Sequence, residues 1–200
     1  DSRSDFSRAD LIPEQTVVLT VSRTGYAKTQ PMSDYVAQKR GGKGKSATAM
    51  KEDDVIDHMV VTSTHNHVMI FTDRGRVFGL QTFEVPLASR GSRGRPLVNL
   101  IALDSDEKVT AILPITGDDK DNASDCYVFF ATASGMVKRV ELSQFKNLRS
   151  NGLKALDLND GDTLIGVAIT DGEQQIMLFS NEGKAIRFAE TDVRAMGRTA

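Results

Sequence analysis

The 200-residue sequence contains one cysteine and no tryptophan, and it has no apolar run long enough to cross a bilayer. Cys126 has no partner for an internal disulfide, which is typical of a reducing compartment, so we expect a cytoplasmic location. We also expect no secretory leader. Apolar residues make up 40% of the chain, an ordinary share that allows a packed core.

A net charge of only −2 argues superficially against a nucleic-acid partner, but the charges are segregated along the chain. Four windows (23–51, 74–95, 138–154 and 184–198) hold 21 of the 25 basic residues and 5 of the 27 acids. Binding of a polyanion depends on the local potential and not on the total charge. The segregation therefore permits a nucleic-acid partner, although solvated loops of mixed charge remain the alternative.

The chain contains an internal repeat. Similar segments occur at 17–44, 68–96, 127–156 and 175–200. Each starts with an apolar run, followed by a hydroxyl residue three positions before a glycine: Ser22 and Gly25, Thr72 and Gly75, Thr132 and Gly135, Ser180 and Gly183. A basic stretch and a second glycine follow in each unit, at Gly44, Gly94, Gly152 and Gly197. The first glycines are 50, 60 and 48 residues apart.

These patterns predict an all-β fold. The runs VMIF and YVFF favour strands, and Ser/Thr-x-x-Gly between two such runs favours a hairpin turn. Further apolar runs at 55–61, 109–115 and 164–170 are expected to supply another strand before each hairpin. About four strands in roughly 50 residues is the signature of a β-propeller blade. Helical repeats would need long stretches of 3.6-residue periodicity, which are absent.

Other segments receive simpler predictions. The best helix candidates, 33–37 and 142–148, are short, and the polar insertion 116–125 is expected to be a loop. Residues 1–10 are charged and lack an apolar pattern, so we interpret them as a linker from an upstream domain, with one domain at 11–200. The chain looks like a fragment of a longer repeat array.

The motif QKRGGKG at 38–44, followed by Lys45, is the sharpest feature of the sequence. Glycines let a backbone approach a ligand closely, and lysine and arginine displace counterions from a duplex. A basic glycine-rich heptad alone is a weak signal, because many such segments are disordered tails. Here the pattern recurs at 90–95 and more weakly at 149–154, which strengthens its interpretation as a contact for phosphate.

The motif resembles the heptad QRRGGKG, called the gyrase A box, in the C-terminal domain of the DNA gyrase A subunit. Lys39 departs from the usual arginine, which keeps the charge and loses a bidentate fork. The segment from Ser89 to Pro96 and the stretch VRAMG at 193–197 also resemble that family. The resemblance covers nearly all of the chain.

The resemblance implies a β-pinwheel, a propeller variant in which neighbouring blades exchange strands, with about four of the six family blades present. It implies a domain that binds, bends and wraps duplex DNA at its outer rim without catalysing a reaction itself. The holoenzyme would be an ATP-hydrolysing topoisomerase that introduces negative supercoils, with partners in the gyrase B subunit and the cleavage core of the A subunit. We expect no cofactor in this chain, with ATP and Mg²⁺ used by the holoenzyme.

Candidate DNA-binding residues follow from the repeat, the basic windows and the resemblance together. We expect them to contact phosphate and not base edges, so that any sequence preference reflects bendability. They are Gln38, Lys39, Arg40, Gly41, Gly42, Lys43, Gly44, Lys45, Arg74, Arg76, Arg90, Arg93, Arg95, Lys138, Arg139, Arg149, Lys184, Arg187, Arg194 and Arg198. Single-strand binding is disfavoured because no aromatic platforms are interleaved with these cations.

Several other features are assigned no function. His65 and His67 are too few for a closed metal site, and the acidic stretch 118–125 lacks a calcium-loop pattern. Cys126 is interpreted as a small apolar residue, and the three tyrosines as ordinary strand or turn aromatics. Two alternatives stay open: the related domain of the topoisomerase IV A subunit, which binds DNA but wraps it poorly, and a protein-binding propeller.

Overall fold

The computed structural model describes residues 8–35, 54–89 and 91–200, and these residues form mainly antiparallel β-sheet. Their strands are β1 (Thr16–Ser22), β2 (Tyr26–Pro31), β3 (Ile56–Ser63), β4 (His67–Thr72), β5 (Arg76–Gln81), β6 (Arg95–Pro96), β7 (Val109–Ile115), β8 (Tyr127–Thr132), β9 (Val137–Glu141), β10 (Leu153–Lys154), β11 (Leu164–Thr170), β12 (Gln175–Phe179) and β13 (Ala185–Ala189). The prediction of an all-β fold is confirmed.

Helical structure in the described ranges is limited to short segments. One α-helix, α1 (Gly117–Asp121), is accompanied by 3-10 turns at Arg8–Leu11, Met32–Tyr35, Thr82–Glu84, Leu97–Asn99, Leu142–Phe145 and Glu190–Asp192. The prediction that 116–125 is only a loop is wrong. Thr116 accepts a hydrogen bond from the Asp119 backbone while Asp119 accepts one from Thr116, and this reciprocal cap starts α1. No helix in these ranges is long and apolar enough to span a membrane.

The four predicted hairpin turns are present. Gly25, Gly75, Gly135 and Gly183 all have positive φ, between 76° and 89°, a region that glycine enters without steric cost. In the first turn the Ser22 hydroxyl accepts a hydrogen bond from the Tyr26 backbone at 3.1 Å, and Thr72, Thr132 and Ser180 make the same contact in the other turns. The prediction of Ser/Thr-x-x-Gly turns is confirmed.

The apolar runs between hairpins belong to different sheets from those predicted. β3 pairs with β1 along its length, β7 pairs with β4, and β11 pairs with β8. Each therefore joins the sheet of the hairpin before it, and the prediction that each joins the following hairpin is wrong. A local pattern cannot decide this, because both neighbouring hairpins are close in sequence and pairing depends on long-range packing.

Neighbouring units exchange short strands. β6, from the second unit, pairs with β2 of the first, and β10, from the third unit, pairs with β5 of the second. The first two sheets thus have the orders β3-β1-β2-β6 and β7-β4-β5-β10. This exchange confirms the pinwheel variant of the propeller. The third sheet has the order β11-β8-β9, and β12 and β13 form the fourth within the described residues.

The second glycine of a unit lies against the preceding sheet. At Gly94, with φ at 84°, an added Cβ would lie 2.2 Å from the Ala27 carbonyl oxygen. At Gly152, with φ at 74°, it would lie 2.6 Å from the Phe78 ring. Any side chain at these two positions would push the exchanged segment off its sheet, which explains why both are glycine. At Gly197 an added Cβ would have no heavy atom nearer than 3.9 Å, so close packing does not explain glycine there.

The core lies between consecutive sheets, and β4 contributes to it with both faces. Val68 and Ile70 pack with the first sheet, whereas Met69 and Phe71 pack with the third. Phe71 meets Phe130 edge to face, with ring centres 5.6 Å apart. Full burial of such a side chain contributes roughly 1.5–3 kcal/mol. Burial on both faces explains why the run VMIF is continuously apolar.

Residues at the start of the described chain pack on the first two units. The Arg8 guanidinium lies 5.9 Å from the centre of the Phe83 ring. The Thr64 hydroxyl donates to the Pro13 carbonyl at 2.9 Å, and a ring nitrogen of His65 lies 2.6 Å from the Ile12 carbonyl oxygen. These contacts fix the path by which the chain reaches the first sheet.

Candidate nucleic-acid interface

The strand orders give each sheet two distinct edges. β7 packs against both β3 and β11, so the sheets meet one another along these strands. The exchanged strands β6 and β10 lie at the opposite edge, which we call the outer edge. The loops around the second glycines lead into these strands. We define the second-glycine loops as 91–95, 148–152 and 193–198, and the first two lie at the outer edges of the first and second sheets.

Loop 91–95 is held by side chains of the first unit. Lys28 Nζ donates to the Ser92 carbonyl at 2.9 Å, and the Arg93 guanidinium lies 4.9 Å from the centre of the Tyr26 ring. Partial burial against this loop lowers the pKa of Lys28 from its ordinary value. Arg93 and Arg95 remain exposed, so the first sheet fixes the loop while its arginines face solvent.

Loop 148–152 is held mainly through its backbone. The Gly79 amide donates to the Arg149 carbonyl at 3.0 Å, and the Ala102 amide donates to the Ser150 carbonyl at 2.9 Å. A Cβ at Gly79 would lie 2.5 Å from the Leu148 Cβ, so the close approach requires glycine. The Arg149 side chain is exposed.

Loop 193–198 lies beside β9 of the third sheet, where Ala195 forms a bridge with Arg139. Lys138 Nζ donates to the Arg198 carbonyl at 2.7 Å, and burial lowers the pKa of Lys138, partly opposed by the charge of Asp157. Arg198 is half-buried and donates to the Lys154 carbonyl at 2.8 Å, whereas Arg194 is exposed.

Two predicted contact residues, Arg74 and Arg76, lie among carboxylates of their own unit. Arg74 pairs with Asp104 at 3.1 Å and also with Asp106. Arg76 pairs at 2.8 Å with Glu107, whose side chain is fully buried, and stacks 4.7 Å from the centre of the Phe78 ring. Negative charge therefore surrounds both arginines, which reduces their attraction for phosphate.

Arg139 is buried, with 8% of its surface exposed, and Lys184 pairs with Glu182 at 3.2 Å on the surface. Arg187 is exposed in β13. The remaining predicted residues lie outside the described residues: Gln38, Lys39, Arg40, Gly41, Gly42, Lys43, Gly44, Lys45 and Arg90. The structure thus brings Arg93, Arg95, Arg149, Arg194 and Arg198 to related loops.

Sequence reasoning missed the acids that hold the hairpin turns. Asp162 accepts hydrogen bonds from the Ser134 hydroxyl at 2.6 Å and the Ser134 backbone at 3.0 Å. These bonds lower the pKa of Asp162 to about 2, and the bond from the Ser134 hydroxyl has the largest effect. Asp54 accepts from the Thr24 backbone at 3.1 Å; burial raises its pKa, but the hydrogen bonds outweigh burial and the net shift is downward. An acid two residues before β3, β7 and β11 was the available signal.

The described residues contain no cluster of three or more His, Cys, Asp or Glu side chains that could hold a metal ion. Cys126 is half-buried against the core, and burial followed by the charges of nearby aspartates raises its pKa, which disfavours the nucleophilic thiolate. Tyr26 and Tyr127 lie beneath arginines, and the Tyr35 hydroxyl donates to Gln30 at 2.7 Å.

Comparison with known proteins places this architecture in a family. A family model described as the DNA gyrase C-terminal domain, a β-propeller, matches residues 16–63, 66–116, 127–171 and 174–200. These ranges correspond to the four structural units.

Relatives of similar sequence carry one name. The DNA gyrase A subunit of Haemophilus influenzae is 52% identical over 98% of this chain, and that of Escherichia coli K12 is 51% identical over 97%. The chain spans only 22% of the length of each relative.

Solved structures agree in fold. The C-terminal domain of a DNA topoisomerase IV has a TM-score of 0.73 at 28% identity, covering 94% of this chain and 56% of that one. A DNA gyrase A C-terminal domain has a TM-score of 0.70 at 26% identity, covering 92% and 58%. With four matched repeats and half of its residues shared with named relatives, the chain belongs to the family of DNA gyrase A C-terminal domains.

Proposed function

We propose that this chain binds duplex DNA along the outer edges of successive sheets, without regard to base sequence. The observation that carries the proposal is the recurrence of one loop in three units. In each unit the second-glycine loop is fixed to the preceding sheet and presents at least one exposed arginine: Arg93 and Arg95, Arg149, and Arg194. A fixed backbone with an exposed guanidinium suits repeated contact with phosphate.

The chemistry of these loops favours phosphate over bases. Arginine gives a planar, permanently charged fork, and each phosphate that it neutralises releases condensed counterions. None of these loops contains a recognition helix, and the exchanged strands β6 and β10 are only two residues long, which is too short for a ribbon that enters a major groove. Any preference among sequences would then come from the ease of bending the duplex.

The candidate residues are proposed to contribute unequally. Arg93, Arg95, Arg149 and Arg194 carry the main contacts, because they are exposed and their loops are fixed. Arg187 and Lys184 are also exposed, although Lys184 has an acidic neighbour. Arg74, Arg76 and Lys138 contribute less, because their charged groups are already engaged within the chain. Arg198 contributes a weaker contact than Arg194, because it is half-buried and donates to the Lys154 carbonyl.

The box, Gln38 to Lys45, is proposed to belong to the same set. It lies between β2 and β3, and the equivalent connection of the second unit, between β5 and β7, contains the second-glycine loop and the exchanged strand. Lys39, Arg40, Lys43, Lys45 and Arg90 would extend the line of cations, with Gly41, Gly42 and Gly44 letting the backbone approach the duplex.

Contact with several sheets in turn would bend the duplex. Smoothly bending a site of 20–30 base pairs costs roughly 1–6 kcal/mol, which additional phosphate contacts can offset. We propose that such wrapping serves negative supercoiling by a cytoplasmic gyrase holoenzyme. The gyrase B subunit and the cleavage core of the A subunit would be the protein partners. ATP and Mg²⁺ would act elsewhere in that assembly, and this domain would bind DNA without cutting it.

The test is the salt dependence of duplex binding by the full-length subunit. We expect affinity to fall steeply between low and moderate salt, with a slope of about −0.9 in log–log form for each phosphate contacted. Duplexes of equal length and different sequence should show similar slopes. A shallow slope, or a marked preference for single strands, would contradict the proposal.

A further inference from the structure

We infer that Arg139 is a positioning residue, which fixes loop 193–198 against the third sheet and thereby places Arg194 and Arg198 for contact with DNA. The inference rests on the proposed function of those loops. Arg139 was predicted to contact phosphate directly, but it is buried, unlike the exposed arginines, and its role is therefore indirect.

Both the main chain and the side chain of Arg139 hold the loop. The Met196 amide donates to the Arg139 carbonyl at 2.9 Å, and Arg139 Nε donates to the Val193 carbonyl at 3.0 Å. The guanidinium carbon lies 4.3 Å from the centre of the Tyr127 ring. With 10% of the side chain exposed, little of the guanidinium can reach a phosphate.

A buried carboxylate gives the guanidinium a second task. Glu190 is fully buried, and one of its oxygens lies 4.0 Å from an Arg139 Nη. The same carboxylate accepts hydrogen bonds from the Thr170 hydroxyl and, at 2.9 Å, from the Gln174 backbone. A buried charge must be paired and hydrogen-bonded to be tolerated, and Arg139 supplies the positive partner. Arg139 therefore joins the third sheet to the start of the segment that carries Arg194.

Equivalent positions in the other units perform the same task without charge. Thr29, also four residues after its hairpin glycine, donates from its hydroxyl to the Val85 carbonyl at 3.2 Å. Gly79, the equivalent residue of the second unit, donates its amide to the Arg149 carbonyl at 3.0 Å. In all three units, the residue at this position therefore binds the segment that comes from the next unit. This binding role explains why the third unit has an arginine there.

The first experiment measures amide hydrogen exchange in the full-length subunit without DNA. Arg139→Gln should accelerate amide exchange in loop 193–198. The matched variant Arg149→Gln removes an exposed cation from loop 148–152 and should leave the exchange rates of loop 193–198 unchanged. If Arg139→Gln fails to fold, Arg139→Lys serves instead, since it keeps a charge near Glu190 and removes the Nε donor to Val193. Unchanged exchange in the folded variant overturns the inference.

The second experiment compares duplex binding over a range of salt concentrations. The paired variant Arg194→Ala/Arg198→Ala should reduce the log–log slope by roughly 0.9 for each phosphate that is no longer bound. Adding Arg139→Gln to that pair should change the slope no further, whereas adding Arg149→Gln should reduce it again. A further reduction by Arg139→Gln would show a direct phosphate contact and overturn the inference.

The two readouts separate the inference from the function on which it rests. Arg139→Gln could accelerate exchange in loop 193–198 while the Arg194→Ala/Arg198→Ala variant binds DNA like wild type. That result would overturn the DNA-contact role of this loop, and with it the role of Arg139 in placing those arginines. A binding defect in the pair with normal exchange in Arg139→Gln would overturn the positioning role alone.

Discussion

Lys28 of the first unit donates a 2.9 Å hydrogen bond to the carbonyl of Ser92, 64 residues later in the second unit. The bond joins the edge of one sheet to a loop that belongs in sequence to the next. The same relationship recurs between Lys138 and Arg198, at 2.7 Å. Some cations thus hold the exchanged segments through hydrogen bonds, whereas others are exposed to solvent.

Replacement of Lys28 by methionine should loosen loop 91–95. The variant keeps the aliphatic stem and loses the donor to Ser92, so amide exchange around Gly94 should become faster, with a loss of about 1 kcal/mol in unfolding free energy. Lys108→Met, at an exposed lysine of another turn, is the control. Equal exchange protection in the two variants would contradict the fastening role of Lys28.

Alanine at Gly94 should destabilise the domain much more than alanine at Gly91 in the same loop. Gly94 combines a φ of 84° with an Ala27 oxygen 2.2 Å from the added Cβ, whereas Gly91 has no atom within 4 Å of it. We expect a loss of roughly 1–3 kcal/mol or more for Gly94→Ala and little for Gly91→Ala. Urea unfolding measures both, and similar midpoints would refute the close packing of this loop.

Stability should decline at acid pH partly through Asp162. Its pKa is about 2 in the folded chain, below the ordinary value of 3.8, so its contribution is fully present above the unfolded pKa. The contribution is lost as pH falls from the unfolded value towards the folded one. Asp162→Asn should therefore be less stable than wild type at neutral pH, and the difference should shrink by about pH 2. A difference independent of pH would exclude this titration.

Arg149→Gln should weaken duplex binding and leave stability unchanged. The side chain is exposed, so its loss should reduce the salt slope by about 0.9 and lower affinity equally for different sequences. Lys108→Gln removes the same charge from an exposed turn whose backbone is bound by the Asp73 carboxylate, and it should bind like wild type. Equal defects in the two variants would show that net charge alone governs binding.

The local features of the fold could be predicted from sequence, because they depend on neighbouring residues. A hydroxyl three positions before a glycine defines the turn by itself, and the runs VMIF and YVFF define buried strands. The sheets that β3, β7 and β11 join could not be predicted in this way. β3 is three residues from β4 in the chain yet pairs with β1, since pairing is decided by packing between units.

The sequence also could not predict which individual cations are paired within the chain and which are exposed. Arg76 and Arg139 stand in basic stretches, but their carboxylate partners Glu107 and Glu190 lie 31 and 51 residues later in the chain. Sequence showed that positive charge is segregated. Only the fold shows which guanidinium groups are paired with carboxylates inside the chain and which, such as Arg93 and Arg149, face solvent.

The proposed DNA-binding role requires that exposed arginines at the outer edge hold a bent duplex. The most direct measurement is the change in linking number when nicked circular DNA is ligated in the presence of the full-length subunit. Wild type should shift the topoisomer distribution, and a variant with Arg93, Arg95, Arg149 and Arg194 changed to glutamine should leave it where DNA alone does. A shift by that variant equal to the wild-type shift would contradict the account.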